Sequence, residues 1–480
     1  MTDNLKTDTV KALLWSFIDK LGKQGIQFVF SVILARLLLP SEFGLIAMLY
    51  VFVSFGHAFI NSGFSHALIQ KKSASYLDEC SVFYFNIAIS VVAMFLLFIS
   101  APLIASFYDQ PQLIPMTRTL SLIFIFNALG LIQRTLLTKK LDFKTQLNVS
   151  ILTTLLSSSI SLILALKGFG VWSLVVLHLS NDLLNTVFLW IFNSWRPKLL
   201  FSITSLKSMF SFGSRLFMVS LLNSVFGNIN QLVIGKFYNA SILGFFSRAD
   251  SLYKYPITII NSVVSQVSFP VFSKIQDEKN RLKDAAMKSI SYVTLLSFPL
   301  MVGLIAVAEP LIVVLLTEKW LPSLPYLQFL CVIGMIQPLL VINGNVINSL
   351  GRSDIFMKID MLNKLLILIL LAITFRYGIS AIIMGQILNF SIAYFLQTHN
   401  INKLLGISII EQIKKLIPGL TISLIMGILV YLTRFIIIDN LIIQLFVQIT
   451  IGVSAYISFC YIFKIKEFME IIDITKKIIR

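Results

Sequence analysis

The sequence predicts an all-α polytopic membrane protein, and its composition and its long apolar runs point the same way. The 480 residues are 57% hydrophobic and only 13% charged, with a mean hydropathy of +0.88. A soluble domain has about 25% charged residues, so this chain cannot cover a water-exposed surface. Its apolar runs reach the roughly 20 residues that a helix needs to cross a bilayer. Barrel strands alternate over about 10 residues, which these runs do not.

About fourteen transmembrane helices are predicted. The stretch 310–320 is predicted to form a short helix at the membrane surface. The predicted spans are 12–38, 43–69, 79–106, 114–137, 146–166, 171–194, 208–235, 241–273, 286–308, 322–349, 356–375, 378–399, 412–434 and 441–463.

The basic residues fall mainly on one side of these spans. With an even number of spans, 26 Lys and Arg lie on the side of the two termini and six lie on the other side. Lys and Arg are retained in cytoplasmic loops, so both termini are predicted to be cytoplasmic, in a bacterial inner membrane. The net charge of +17 therefore reflects orientation, and nucleic acid is not an expected partner.

The chain also resembles itself at a shift of about 200 residues. The segment 34–45 aligns without gaps with 234–245, with Gly44 matching Gly244. Six spans in each copy predict two like-oriented lobes with the substrate path between them. The predicted domains are an N-lobe at 1–194, a cytoplasmic linker at 195–206, a C-lobe at 207–403, and two further helices with a cytoplasmic tail at 404–480.

Charged residues inside the spans are the candidate binding groups, because a charge in mid-membrane costs about 3 kcal/mol and usually faces a cavity or a partner. Some occur as Asp–Lys pairs at i,i+4 spacing, which favours an ion pair on one helix face. The pairs are Asp19–Lys23, Asp250–Lys254 and Asp360–Lys364. Lys20, Arg215 and Arg248 have no such local acid. Arg suits phosphate oxygens, so these residues, with Lys23 and Lys254, are predicted to bind an anionic head group. The alternative is structural bridging between helices.

The span 171–194 has polar residues on a single face at i, i+3, i+4 and i+7: His178, Asn181, Asp182 and Asn185. A carboxylate near mid-membrane beside a histidine could take up H⁺ or Na⁺ and couple transport to an ion gradient. Asp182 and His178 are therefore the leading ion-coupling candidates, with Asp19 and Asp250 beside them. The alternative is a polar stripe that joins two helices by hydrogen bonds.

Asn61 and Asn261 occupy matching positions in the two copies of the repeat and are predicted to line a hydrophilic cavity. Helix–helix hydrogen bonding remains the alternative. No phosphate-binding G-x-x-x-x-G-K-[ST] loop occurs, and no H-E-x-x-H or nucleophile elbow is found. The cysteines Cys80, Cys331 and Cys460 have no metal-ligand spacing. Neither a catalytic site, a bound metal nor another cofactor is expected.

Three segments carry a resemblance to a known family. Residues 35–44, ARLLLPSEFG, resemble the opening signature of the polysaccharide transporter (Wzx-like) family of the multidrug/oligosaccharidyl-lipid/polysaccharide flippase superfamily. Residues 168–175, GFGVWSLV, resemble its Gly-x-Gly-x-Trp-(Ala/Ser)-Leu element. Residues 244–249, GFFSRA, resemble its Gly-Tyr-Tyr-Ser-Arg-Ala-like element. Among its members, the chain looks most similar to the colanic acid and lipopolysaccharide exporters.

The resemblance implies a flippase, not an enzyme, that moves undecaprenyl-diphosphate-linked oligosaccharide repeat units to the periplasmic leaflet by alternating access. Its product would serve lipopolysaccharide, capsule or exopolysaccharide synthesis. The resemblance also implies that the helices at 412–434 and 441–463 offer a groove to the lipid tail. Membrane lipids, a polymerase and other glycan assembly proteins are the expected partners. Two alternatives stay open: a cation-coupled multidrug exporter of the same superfamily, and a membrane scaffold in a glycan assembly complex.

Overall fold

The computed structural model describes residues 2–60, 63–71, 74–435 and 440–479, and the regular elements among them are helices. The first half of the chain contains α1 (Thr2–Leu37), α2 (Pro40–Ile60), α3 (Phe64–Gln70), α4 (Tyr76–Tyr108), α5 (Leu113–Leu120), α6 (Ile123–Lys139), α7 (Phe143–Leu166), α8 (Val171–Phe192) and α9 (Ile203–Phe237). The second half contains α10 (Ala240–Lys274), α11 (Lys279–Ala306), α12 (Ala308–Leu316), α13 (Leu324–Ser349), α14 (Ser353–Thr374), α15 (Ile379–Leu405), α16 (Ile409–Leu432), α17 (Leu441–Ile462) and α18 (Lys466–Ile479). The all-helical membrane fold class is confirmed.

Twelve stretches of the described chain are long and apolar enough to cross a membrane, against about fourteen predicted. The two predicted spans without a counterpart correspond to α1 and α14. Both form helices, of 36 and 22 residues. Both contain charged residues within their apolar runs, such as Asp19 and Lys23 in α1 and Asp360 and Lys364 in α14.

Two predicted spans differ from straight helices. The span 43–69 consists of α2 and α3, and Gly63 before α3 has a left-handed φ of 72°. A Cβ atom added at Gly63 would lie 2.3 Å from the carbonyl oxygen of Gly213 on α9, so the two backbones cross closely there. The span 114–137 is divided into α5 and α6. The predicted short helix at 310–320 is present as α12, followed by a 3-10 helix at Glu318–Ser323.

Local side-chain signals fix several helix ends. Ser75 caps α4 by accepting a hydrogen bond from the Asp78 amide, and the Asp78 carboxylate accepts one from the Ser75 amide. Ser408 and Glu411 form the same capping box at the start of α16. Such reciprocal caps satisfy two amide groups that the first turn of a helix leaves without partners.

The chain folds into two compact units, Met1–Gly244 and Phe245–Arg480, here the N-unit and the C-unit. The predicted linker 195–206 lies inside the N-unit. There Trp195 donates a hydrogen bond from Nε1 to Glu79 (2.8 Å), and its carbonyl oxygen accepts one from Gln133 (3.0 Å). The predicted first helix of the C-lobe, α9, packs on α2, α3 and α4. The proposed domain limits thus describe the sequence repeat and stay a prediction.

The two copies of the repeated segment, 34–45 and 234–245, contact each other within the N-unit. A Cβ atom added at Gly44 would lie 1.7 Å from the carbonyl oxygen of Ala240, and one at Gly244 would lie 1.9 Å from that of Pro40. Positions 40 and 44 correspond to 240 and 244 at the shift of 200 residues, so the contact is reciprocal. Only glycine allows so close an approach of two backbones. This geometry agrees with the repeat that the sequence indicates.

Candidate functional site

In the N-unit, a group of polar and charged residues lies around α8. Four other helices contribute to this group, which we call the N-unit polar cluster. It consists of Asp19 and Lys23 of α1, His57 of α2, Asn127 and Arg134 of α6, Ser150 of α7, and His178, Asp182 and Asn185 of α8. Helix α8 packs on α2, α6 and α7, and α7 packs on α1, which brings these five helices together.

Asp182 lies at the centre of the cluster. Its carboxylate lies near the Asn127 side chain and within the electrostatic influence of His57, Arg134 and Lys23. These groups belong to three helices other than α8. A carboxylate inside the spans, with a titratable imidazole and two cationic side chains near it, can change its charge partners when the helices rearrange, as ion coupling requires. The predicted ion-coupling role of Asp182 remains a prediction.

The other members of the α8 stripe contact neighbouring helices. The His178 ring lies 5.4 Å from the ring of Tyr50 on α2. Asn181 donates a hydrogen bond to Ser157 of α7 at 3.2 Å. Asn185 accepts one from the Arg134 guanidinium at 3.0 Å. Part of the stripe therefore joins helices, as the structural alternative requires, while Asp182 and His178 face other titratable side chains.

Arg134 is the member that the sequence interpretation missed. It lies within the predicted span 114–137, five residues before the end of α6, and is absent from the predicted site residues. Its side chain is exposed, whereas its neighbours Ile132 and Leu136 are buried. The apolar residues before and after it were the signal for a helix position. Because a charge inside a span usually faces a cavity or a partner, Arg134 belongs with the candidate site residues.

On α1, Asp19 accepts a hydrogen bond from Ser150 of α7. No ion pair within 4 Å joins Asp19 to Lys23 among the described side chains, although Asp19 acts electrostatically on Lys23. The predicted ion pair between Asp19 and Lys23 is therefore not formed, and Asp19 contacts α7 instead. Lys20 has an exposed side chain. The cluster carries two carboxylates and two permanent cations, so its charge is close to balanced.

The corresponding charged residues of the C-unit are paired or buried. Lys254 and Asp250 form the predicted i,i+4 ion pair at 2.6 Å. Lys364 and Asp360 form theirs at the same distance, so two of the three predicted pairs are confirmed. Arg248 is only 5% exposed, and its guanidinium carbon lies 5.6 Å from the centre of the Trp320 ring. This geometry suits a structural cation–π contact better than a substrate contact in this conformation.

Three further predicted site residues are Arg215, Asn261 and Asn61. Arg215 has an exposed side chain and is the thirteenth residue of α9. The Oδ1 atom of Asn261 is buried without a hydrogen-bond partner in the described chain. Asn61 lies outside the described residues. The substrate-binding roles predicted for these residues remain predictions.

The two helices predicted to hold a lipid tail do border an apolar groove. Helices α16 and α17 form one side of it, and α11 and α12 form the other, around a cavity of 410 Å³. Its lining includes Gly303, Leu304, Val430 and Gly452. A Cβ atom at Gly303 would come no nearer than 3.7 Å to a neighbouring atom, so the groove is open there. We call it the C-unit groove.

Comparison with known proteins identifies the family. The family model described as "Polysaccharide biosynthesis protein" matches residues 33–325. The chain belongs to the polysaccharide biosynthesis protein family. It is 29% identical over 346 residues to the teichuronic acid biosynthesis protein TuaB of Bacillus subtilis (strain 168), covering 71% of each chain. It is 27% identical over 443 residues to the lipopolysaccharide biosynthesis protein WzxC of Escherichia coli (strain K12), covering 88% of this chain and 89% of that one.

The chain has the same fold as a solved flippase structure. A structure of the lipid II flippase MurJ in an inward closed conformation superimposes with a TM-score of 0.76 at 18% identity. The alignment covers 95% of this chain and 98% of that one. The architecture expected from the resemblance is thereby confirmed at the level of the fold.

Proposed function

We propose that this chain is a flippase for undecaprenyl-diphosphate-linked oligosaccharide repeat units. It would move them from the cytoplasmic to the periplasmic leaflet by alternating access and would hydrolyse no nucleotide. The bacterial inner membrane is its proposed location, with both termini in the cytoplasm. WzxC and TuaB, named for lipopolysaccharide and teichuronic acid synthesis, support a role in surface glycan assembly. A polymerase and other assembly proteins are the proposed partners.

The observation that carries the proposal is the N-unit polar cluster inside the apolar spans. A purely structural protein in a membrane gains little from two carboxylates, two cations and two histidines drawn from five helices. A transporter needs such groups to compensate a charged substrate and to take up a coupling ion. We propose that H⁺ or Na⁺ exchanges at Asp182, with His178 and His57 beside it, and that Lys23 and Arg134 supply positive charge that compensates the anionic substrate.

Reconstitution tests the proposal directly. The purified full-length chain is placed in proteoliposomes with a fluorescent undecaprenyl-diphosphate-linked oligosaccharide, and a membrane-impermeant quencher reports the leaflet of the sugar. We expect protein-dependent movement that accelerates under a pH or Na⁺ gradient. In the source bacterium, deletion of the gene should leave lipid-linked repeat units in the cytoplasmic leaflet. Normal surface glycan after a clean deletion would contradict the proposal.

The same preparation separates the two alternatives. A multidrug exporter would transport an amphipathic cation such as ethidium, and Asp182→Asn would abolish that transport while lipid-linked sugar stayed in place. A scaffold would show neither activity, and its assembly complex would survive Asp182→Asn unchanged. No observation in the described chain favours either alternative over lipid-linked transport.

A further inference from the structure

A second apolar groove lies in the N-unit. Its volume is 770 Å³, nearly twice that of the C-unit groove. An apolar cavity of roughly 150 Å³ already binds benzene, so this space can hold a long hydrocarbon chain. Helices α2, α4 and α9 form its walls, and Phe64 of α3 and Phe124 of α6 complete it. We call it the N-unit groove.

A glycine of α2 and several aromatic rings shape this groove. A Cβ atom added at Gly56 would lie 1.9 Å from the Phe124 ring, so glycine allows this ring to pack directly against the backbone of α2. The rings of Phe59 and Phe217 lie 5.1 Å apart, and those of Phe64 and Phe85 lie 4.8 Å apart. Aromatic side chains therefore line the groove from α2 across to α9.

The groove is open along α4. Val92 and Leu96 line it and remain 58% and 65% exposed. Its lining on α4 extends from Phe85 to Ser100, and fifteen residues of α-helix span about 22 Å. One leaflet is about 15 Å thick, half of a roughly 30 Å hydrocarbon core. The groove thus suits a chain longer than the acyl chain of one leaflet.

A cation lies at one end of the groove. Ser214 and Phe217 of α9 line it, and Arg215 follows Ser214 directly. Arg215 is exposed and forms no ion pair with any residue that the structure describes. It is the eighth residue of the predicted span 208–235, about 10 Å from its start at 1.5 Å per residue, and its long side chain can extend from there toward the lipid phosphates. A long apolar groove with an exposed Arg beside one end complements a polyprenyl diphosphate.

The groove also adjoins the N-unit polar cluster. Phe124 lines the groove, and its ring lies 6.0 Å from the ring of His57. A chain bound along the groove would therefore lie one side chain away from the groups proposed for ion coupling. We propose that the N-unit groove holds the polyprenyl chain of the lipid carrier, with Arg215 at its diphosphate. This inference rests on the proposed function and names the site for the tail of that substrate.

Photo-crosslinking in nanodiscs tests the inference with full-length protein and a diazirine-bearing polyprenyl diphosphate. We expect labelling of peptides from α4 and α9 that unlabelled undecaprenyl diphosphate removes and phosphatidylglycerol at equal concentration does not. Labelling confined to α16 and α17 would overturn the inference. So would labelling that phosphatidylglycerol removes equally well, because the groove would then hold ordinary membrane lipid.

Two matched variant pairs sharpen the test. Ala93→Trp fills the groove, and we expect labelling and transport to fall about tenfold, whereas Ile99→Trp on the exposed face of α4 changes neither. In Arg215→Gln, unlabelled undecaprenyl diphosphate should compete less well with the photoreactive probe. Lys207→Gln, just outside the predicted span 208–235, should leave this competition unchanged. Wild-type transport with equal loss in Ala93→Trp and Ile99→Trp would refute the groove and leave the flippase intact. No transport by the wild type would instead refute the proposed function.

Discussion

The two units use the same kinds of charged residue in different ways. In the C-unit Asp250 and Asp360 each form an ion pair with a lysine one turn away on their own helix, and Arg248 is buried against an aromatic ring. In the N-unit the charges that act on Asp182 come from other helices. A pair within one helix moves as a unit and changes little when helices shift. A cluster shared by several helices changes whenever they rearrange, which is what coupling to transport requires.

The largest effect is expected from removing the central carboxylate. Asp182→Asn should lower transport about 100-fold, which corresponds to about 2.7 kcal/mol, because Arg134 and Lys23 lose their compensating charge. The stimulation by an ion gradient should also disappear. The assay is the leaflet-specific quenching of lipid-linked oligosaccharide in proteoliposomes. The matched variant is Asp360→Asn in α14, for which we expect less than a threefold loss; equal losses in both variants would remove the distinction between the units.

The next effect separates stability from transport by comparing two arginines. Arg248→Gln should destabilise the folded protein by about 2 kcal/mol, because a desolvated cation–π contact with Trp320 is lost. Arg134→Gln should lower the melting temperature only slightly, since it loses one solvent-exposed hydrogen bond to Asn185, but should lower transport about tenfold. Melting of the detergent-solubilised protein and the transport assay measure the two effects. A transport defect in Arg248→Gln at normal stability would restore this residue as a substrate ligand.

The sequence predicted the fold well because hydrophobic length is a local property. Long apolar runs are visible one helix at a time, and so were the i,i+4 pairs Asp250–Lys254 and Asp360–Lys364. The contacts of Asp19 were not visible, since its partner Ser150 lies 131 residues away. Arg134 was missed for a related reason. It lies near the end of the predicted span 114–137, and the lysines that follow at 139, 140 and 144 are typical of a cytoplasmic loop. Its contact with Asn185 of α8 is visible only in the structure.

A smaller effect concerns the ion pair that the C-unit keeps within α10. The Lys254 side chain is 44% exposed and that of Asp250 is 12% exposed, so solvent weakens the pair. A double-mutant cycle with Asp250→Asn and Lys254→Met should give a coupling energy of about 0.5 kcal/mol. The free energy of unfolding in mixed micelles provides the measurement. A coupling above about 2 kcal/mol, or a transport loss in the double variant, would show that this pair does more than neutralise its helix.

The smallest effect concerns the C-terminal helix, where the C-unit has charged contacts outside its spans. Tyr292 of α11 donates a hydrogen bond to Glu470 of α18 at 2.6 Å, and Lys288 lies 3.5 Å from the same carboxylate. The hydrogen bond from Tyr292 is the largest cause that lowers the pKa of Glu470 below its ordinary value of 4.5. A carboxyl whose pKa is lowered in the docked state favours docking above its ordinary pKa. This contribution disappears as the pH falls through the docked value.

We therefore expect amide hydrogen exchange in residues 466–479, corrected for the intrinsic effect of pH, to rise about twofold between pH 6 and pH 3.5. In Glu470→Gln the exchange should already be raised at pH 6 and should change less with pH. Asp473→Asn, an exposed position on the same helix, is the matched control and should behave as the wild type. Exchange that rises equally in all three proteins would mean that α18 is held by its apolar face, through contacts such as that of Phe468, and not by this carboxylate.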